Sequence, residues 1–456
     1  MDEAAAAMDG TLITGDPMRF WSGASIDSRT IGRGQLFFAL DGETSDGHRF
    51  VASAIEAGAA GAVVSQDVEG AGTDVGVIRV DDAFGALHAL TRHVRAGVPQ
   101  RLVAITGSAG KTSTKELLAA MLASRFRVAR SPGNLNNLLG FPLALLGIPE
   151  DTELMVAEMG MSEPGELGRI SRLGRPDVAV FTNVKAAHLE FFDSLRAVGD
   201  AKAELLEGLA EGGLVVANRD DEEVRRIGER YDGPVIWYGL AEGADVRAVE
   251  IRVSPDRPGS RFLLAHGEES QEIALPLHGL YNIDNCLAAA AAAISLGLTL
   301  QEIATGVETV ETPEMRGVVH VLEMGVTVID DSYNSNPFAL ERALESAAAL
   351  PAVRRWAVLG DMLELGADGA EMHRRAGAQA AAHGFMSVWG VGEAARELVR
   401  AAEEHGAVSR WHADAEAAAA AAVSELQPGD LVLIKGSRGI GLERVVRALL
   451  AAGEKV

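Results

Sequence analysis

The 456-residue chain has one cysteine, Cys286, which excludes an internal disulfide and suits a reducing cytosol. Lysine is nearly as scarce: of 41 basic residues only six are Lys, at 111, 115, 185, 202, 435 and 455, so Arg ordinarily supplies positive charge. No stretch gathers Lys and Arg densely enough to follow a phosphate backbone, and the formal net charge is −24, which argues against nucleic acid as a partner. The opening residues, MDEAAAAMDG, carry acids where a secretory leader would carry Lys or Arg. The most apolar run, Cys286 to Leu300, is interrupted by Ser295 and Thr299 and falls short of the ~20 residues a bilayer requires. No tandem repeat is visible. These absences predict a cytoplasmic protein without membrane insertion.

Its length exceeds one ordinary core, and a prior of ~150 residues per domain suggests about three. The piece around which the others are organised is VAITGSAGKTSTKE, Val103 to Glu116. An apolar run, Leu102 to Ile105, breaks into Thr106-Gly107-Ser108-Ala109-Gly110-Lys111-Thr112 and turns helical from Ser113 to Ala123, which reads as strand, phosphate loop and helix. Gly107 and Gly110 let successive N–H groups face one anion, and the helix start adds roughly half a positive charge there. Lys111 is then expected on the β/γ-phosphates and Thr112 on magnesium. The spacing is GxxGKT, with Ile105 where the longer motif has its first Gly. A Lys retained after Gly110 in so lysine-poor a chain suggests that a compact point charge is needed there.

Residues 1–98 read as a first α/β unit, with a strand at 34–40, a polar turn at 41–48, a helix at 51–57 capped by Gly58, and an apolar run at 62–65. Residues 99–312 alternate strands and helices, which predicts a mostly parallel, doubly wound sheet, with strands near 102–106, 126–130, 153–157 and 178–182 and short ones near 214, 235 and 262. Residues 313–456 form a third, Rossmann-like unit, with strands at 318–323, 326–330, 356–359, 387–390 and 431–434 between five helices. Ligands of such sheets collect beyond the carboxyl ends of the strands. Glu158 leaves an apolar strand there and suits a magnesium ligand. Asn134, Asn136 and Asn137 offer uncharged donors and acceptors, although Asn-rich turns also form for backbone reasons alone. His188 is undecided on chemistry, since imidazole matches magnesium poorly. The clusters at 330–337, 360–364 and 435–438 again follow strands, so a site closed between two domains is expected.

These residues resemble the Mur ligases, ATP-dependent amide-forming enzymes of peptidoglycan precursor synthesis. The resemblance rests on TGSAGKTSTKE, Glu158 in AEMG, TNVKAAHLEFF (182–192), DAKAELLEGL (200–209), GLYNIDN (279–285), Arg316 and DDSYNSNP (330–337), and runs from about residue 25 to 445. IDSRTI, LDGETSDGH, SPGNLNN, DDSYNSNP, LGDMLELG and IKGSRGI are most similar to the members that add D-alanyl-D-alanine to UDP-N-acetylmuramoyl-tripeptide. The runner-up is another Mur-type or a folylpolyglutamate-type ligase, but the latter would show a DGAHNP-like run where this chain has DSYNSNP.

The resemblance implies ATP held by Gly107, Ser108, Ala109, Gly110, Lys111, Thr112 and Ser113, and two Mg²⁺ ions on Thr112, Glu158, His188 and a carbamylated Lys202. Asn282, Arg316 and Asp331 are implied at the nucleotide, and Ser28, Thr44, Ser45 and Asp46 at the UDP part. Asn134, Asn136 and Asn137 would meet the muramoyl peptide, and Tyr333, Asn334 and Asn336 the dipeptide. Lys111, Glu158, His188, Lys202 and Arg316 would carry the catalysis, in a monomer. The chain departs from the family at Tyr281, where a His is usual, and at Met315, where a Gly commonly precedes the Arg.

Overall fold

The computed structural model describes residues 1–42, 45–68, 75–185, 192–253, 259–323 and 325–453. Three sheets account for its strands. The first has five, in the order Thr11–Thr14, Gly76–Arg79, Gly61–Val64, Leu36–Phe38 and Ala24–Ser25; only Thr11–Thr14 runs antiparallel to its neighbour. The helix Val51–Glu56 ends as the sequence predicts, with Gly58 at a φ of +104° directly beyond it.

The central sheet has nine strands and is parallel from Val128–Arg130 through Leu154–Glu158, Arg101–Thr106, Val178–Phe181, Leu214–Asn218 and Val235–Gly239 to Val246–Val253. Every residue of Leu154–Glu158 and of Val178–Phe181 is buried, as expected of strands covered on both faces. Beyond Val246–Val253 the sheet continues as the antiparallel strands Ser260–His266 and Glu269–Leu275. Two of these three strands are absent from the sequence reading, because their burial alternates and charged residues fill the solvent side.

The Ala-rich helix Tyr281–Ser295 lies inside the middle domain, with Ala288 through Ala293 fully buried. Methyl-sized side chains let it approach both the sheet and the helix Lys111–Leu122, and their common core also takes Leu117, Leu118 and Met121. This packing sets the amino end of Tyr281–Ser295 beside the phosphate loop. The third sheet runs in the order Val318–Val321, Thr327–Asp331, Asp430–Lys435, Arg354–Gly360, Ser387–Val391 and Val408–His412, with only its first strand antiparallel. Thr327–Asp331, Asp430–Lys435 and Arg354–Gly360 are adjacent, so the loops at 332–336, 435–439 and 361–365 emerge side by side. No helix among the described residues is long and apolar enough to cross a membrane.

Candidate active site

A cavity of about 620 Å³ lies between the carboxyl edges of the middle and third sheets. The phosphate loop forms its floor. The helix begins at Lys111, two residues earlier than the sequence suggests, with Gly110 as its N-cap at a φ of +85°. Both loop glycines are required by close approach: a Cβ on Gly107 would overlap Thr182 Oγ1, and one on Gly110 would overlap Asn285 Oδ1. The segment 182–185 fixes the loop from behind. Ser108 N donates to the Asn183 carbonyl (3.0 Å), Ala109 N to Asn183 Oδ1 (3.0 Å), and Thr182 Oγ1 to the Ala109 carbonyl (2.7 Å). Ser108 Oγ donates to the Lys185 carbonyl and accepts from Lys185 N, both at 3.0 Å. These bonds use the loop's own polar groups and leave the start of the helix, at Lys111, Thr112 and Ser113, facing the cavity.

Lys111 Nζ donates to the Gly107 carbonyl at 2.7 Å. Burial lowers its pKa; Glu158 opposes that and Arg316 adds to it, so cations from two domains meet here. Glu158 is 2 % exposed, and its Oε1 has no hydrogen-bond partner among the described residues, although Lys115 Nζ lies 3.4 Å away. Lys115 Nζ also donates to the Ser131 carbonyl (2.8 Å), while Ser131 Oγ accepts from Glu158 N (3.1 Å). Lys202, 3 % exposed on the helix Leu195–Ala203, makes no hydrogen bond to the described residues and lines the same cavity. Burial, with the charge of Lys111 added, holds its pKa well below the usual lysine value.

The third sheet supplies the opposite wall. The Arg316 guanidinium sits 4.1 Å from the Tyr333 ring centroid. Asp331 pairs with Lys435 Nζ at 2.6 Å, and that ammonium also donates to the Asn334 carbonyl at 2.9 Å. Asn336 caps the helix Pro337–Ala348 through Ala339 N (2.8 Å), and Asn137 Oδ1 accepts from Gly140 N (2.7 Å) at the start of Gly140–Leu146. Both asparagines line the cavity, as do Asn134 and Asn136, but their Oδ1 atoms are already used by backbone.

At Met315, where the resemblance leads one to expect Gly, the backbone adopts a left-handed conformation. Met315 holds a φ of +58° and its carbonyl accepts from Tyr333 N at 3.1 Å. A left-handed residue other than glycine costs about 1–2 kcal/mol. Part of that gain is returned as unfolded-chain entropy when Gly is introduced, so Met315→Gly is expected to stabilise the protein by roughly 0.5–1 kcal/mol. Denaturant titration checks this; a lower midpoint would mean that the Met315 Sδ contact with Arg438 outweighs the strain.

Several expected residues fall elsewhere. Asn282, which the resemblance implies at the nucleotide, is buried and does not line the cavity, donating through Nδ2 to the His278 carbonyl (2.7 Å) and accepting at Oδ1 from Asn285 Nδ2 (2.9 Å). One helical turn further on, Asn285 faces the loop instead, and Asn282 orients it. Tyr281 lines the cavity, its hydroxyl pKa raised by burial and by Asp331. Ser28, Ser45 and Asp46 belong to the first sheet's loops and do not line this cavity. Asp46 accepts from His48 N (2.9 Å) and His48 Nδ1 (2.7 Å), bonds that hold its carboxyl down at about 2. Thr44 and His188 lie outside the described residues.

Asn183, Asn285, Lys115 and Lys435 are contributors that the sequence reading leaves without a role. The scarcity of lysine signals two of them. Lys111, Lys185, Lys202 and Lys435 line the cavity, and Lys115 braces Glu158.

Family models match most of the chain: the Mur ligase middle domain over residues 105–293, the Mur ligase glutamate ligase domain over 316–438, and the Mur ligase family catalytic domain over 21–95. The UDP-N-acetylmuramoyl-tripeptide–D-alanyl-D-alanine ligase of Bacillus subtilis is 32 % identical over 94 % of this chain and 93 % of its own. A crystal structure of MurF from Acinetobacter baumannii superposes with a TM-score of 0.87 at 28 % identity, covering 98 % of each chain. MurF ligase from Thermotoga maritima in complex with ADP gives 0.82 at 26 % identity, over 95 % of this chain and 98 % of that one. The chain belongs to the Mur ligase family.

Proposed function

We propose that this chain joins D-alanyl-D-alanine to UDP-N-acetylmuramoyl-tripeptide through an acyl phosphate, with the residues of the cavity in the following roles. The observation that carries this reading is the meeting in one cavity of a phosphate loop with Lys111 and Glu158 from the middle sheet, and of Arg316 and the DSYNSNP loop from the third. The chain is an ATP-dependent carbon–nitrogen ligase, and such an enzyme must convert an unreactive carboxylate into an acyl donor. The tripeptide carboxylate attacks the γ-phosphorus and ADP leaves. The dipeptide amine then adds to the acyl carbon, and the tetrahedral intermediate expels phosphate as the amide forms and the amine loses its proton.

Both steps concentrate negative charge. Lys111 from the loop and Arg316 from the third sheet stabilise it, while the helix start orients the phosphates. Asn134 and Asn136 hold the acceptor peptide, and Tyr333 and Asn334 the dipeptide. Asn285 shapes the loop through Gly110. Ser28, Thr44, Ser45 and Asp46, from residues 1–98, take the UDP end.

The oxygen donors present suit Mg²⁺: Thr112 offers a hydroxyl, and the buried Glu158 Oε1 lacks a hydrogen-bond partner among the described residues. His188 and Lys202 as a carbamate complete the set for two ions in this reading. Bound magnesium neutralises phosphate charge and polarises the phosphoryl oxygens.

Domain limits of 1–98, 99–312 and 313–456 are supported by the strands, none of which crosses either boundary. The same reading has the enzyme act as a cytoplasmic monomer.

Phosphate release from ATP tests the proposal. It is expected only when UDP-N-acetylmuramoyl-tripeptide and D-alanyl-D-alanine are both present, with background rates when either is omitted. Release with glutamate and a folate, or with a diamino acid and a shorter UDP-peptide, would assign the chain to another branch of ligases.

A further inference from the structure

Two sequence motifs, LGDMLELG and IKGSRGI, line the cavity but have no role in the chemistry above. Their loops follow the adjacent strands Arg354–Gly360 and Asp430–Lys435 and are joined to each other. Ser437 N donates to the Asp361 carbonyl and Leu363 N to Ser437 Oγ, both at 3.0 Å. Together they form one wall beside the 332–336 loop.

The dipeptide, on the ligase reading on which this inference rests, brings a reacting amine at one end and a carboxylate at the other. The amine must reach the acyl carbon near Lys111 and Arg316. Its carboxylate then lies up to roughly 7 Å away, the span of two extended residues. A carboxylate leaving water needs a charged, hydrogen-bonding partner there.

Four cations line the third-domain side of the cavity: Arg316, Arg342, Lys435 and Arg438. Lys435 is 4 % exposed and is occupied by Asp331 and the Asn334 carbonyl. Arg342 pairs with Glu345 at 3.1 Å, lies along Phe338, and acts on the middle domain's Asp284. The charge of Arg316 is felt at Lys111, which assigns it to the phosphates.

Arg438 remains, and its side chain is 54 % exposed. Its Nη1 lies 3.3 Å from Met315 Sδ and 3.4 Å from Glu443 Oε2, and its guanidinium carbon is 6.0 Å from the Tyr333 ring centroid. Its Nε and Nη2 make no hydrogen bond to the described residues, so the Nε–Nη2 edge of a guanidinium paired with Glu443 is open. Beside it, Leu363 is 49 % exposed and its Cδ1 approaches Gly439.

We infer that Arg438 binds the terminal carboxylate of the incoming dipeptide, and that Leu363 is the apolar surface met by its second side chain. Arg438 is thus a specificity-determining residue: it selects a free carboxylate at the dipeptide's end.

The test compares D-alanyl-D-alanine with its C-terminal amide in the phosphate-release assay, on wild type, Arg438→Gln and Arg438→Lys. In wild type the amide is expected to show a KM roughly 10- to 100-fold above that of the acid, the worth of a charge-assisted hydrogen bond. Arg438→Gln should raise the KM of the acid by the same factor and make acid and amide equivalent, with KM for ATP and for the UDP-tripeptide unchanged. Arg438→Lys should restore part of the preference. A wild-type acid-over-amide ratio that persists in Arg438→Gln overturns the assignment, as does an equal loss on both substrates. Absence of phosphate release by wild type with D-alanyl-D-alanine would instead overturn the ligase reading, leaving the two failures distinct.

Discussion

Lys111→Ala is expected to lower phosphate release by ~10²-fold or more while the thermal midpoint stays level or rises slightly. The direction of both effects follows from the surroundings of Lys111. Among the described residues its ammonium has one hydrogen-bond acceptor, the Gly107 carbonyl, and burial already disfavours its charge. Removing it therefore takes a poorly compensated cation out of the fold. On the proposed reading that cation meets the phosphates of ATP from the middle domain, and Arg316 meets them from the third. Lys111→Arg is expected to rescue little, because a planar guanidinium does not replace a compact ammonium between a loop carbonyl and a phosphate. Activity of the Ala variant above about one hundredth of wild type would count against the role.

Parts of this arrangement were legible in the sequence and parts were not, for physical reasons. Strands buried on both faces, such as Leu154–Glu158 and Val178–Phe181, appear as unbroken apolar runs and were placed within a residue or two. Strands with one solvated face hide their pattern among charges. Val246–Val253, Glu269–Leu275 and the edge strand Val408–His412 went unread for that reason. The phosphate loop was legible because its glycines answer a local demand. What each glycine meets, Thr182 Oγ1 or Asn285 Oδ1, comes from elements far away in the chain. The two asparagines of GLYNIDN are alike as letters and, three residues apart, share one helix face; only the packing of the Ala-rich helix decides that Asn285 is the one beside the loop. Lys435 was equally hidden, since its partner Asp331 lies 104 residues earlier, although the chain's preference for Arg marks every lysine as unusual.

Lys202→Ala is expected to be nearly inactive, with Lys202→Arg no better and a short carboxylic acid such as acetate partly restoring the Ala variant. A lysine in the last turn of a helix usually gains from the helix dipole and stays charged. Here burial and the charge of Lys111 prevail and push its pKa down. The amine is therefore neutral over a pH range in which ordinary lysines are protonated. A neutral amine adds CO₂: the nitrogen lone pair attacks carbon, one proton is released, and an anionic carbamate results. The Lys111 ammonium, which disfavours a second cation, favours that anion, so one neighbour drives both halves of the conversion. A carbamate also supplies the oxygen ligand that magnesium prefers and that an amine does not. Arg cannot follow, because its guanidinium remains protonated. Two further readouts separate this from a structural role. Lys202→Ala should not lower the thermal midpoint, since it removes a buried amine without a hydrogen-bond partner among the described residues, and wild-type activity should fall on exhaustive removal of CO₂ and return with bicarbonate. Full activity of Lys202→Arg would sink the carbamate, because no anionic ligand could then form at this position.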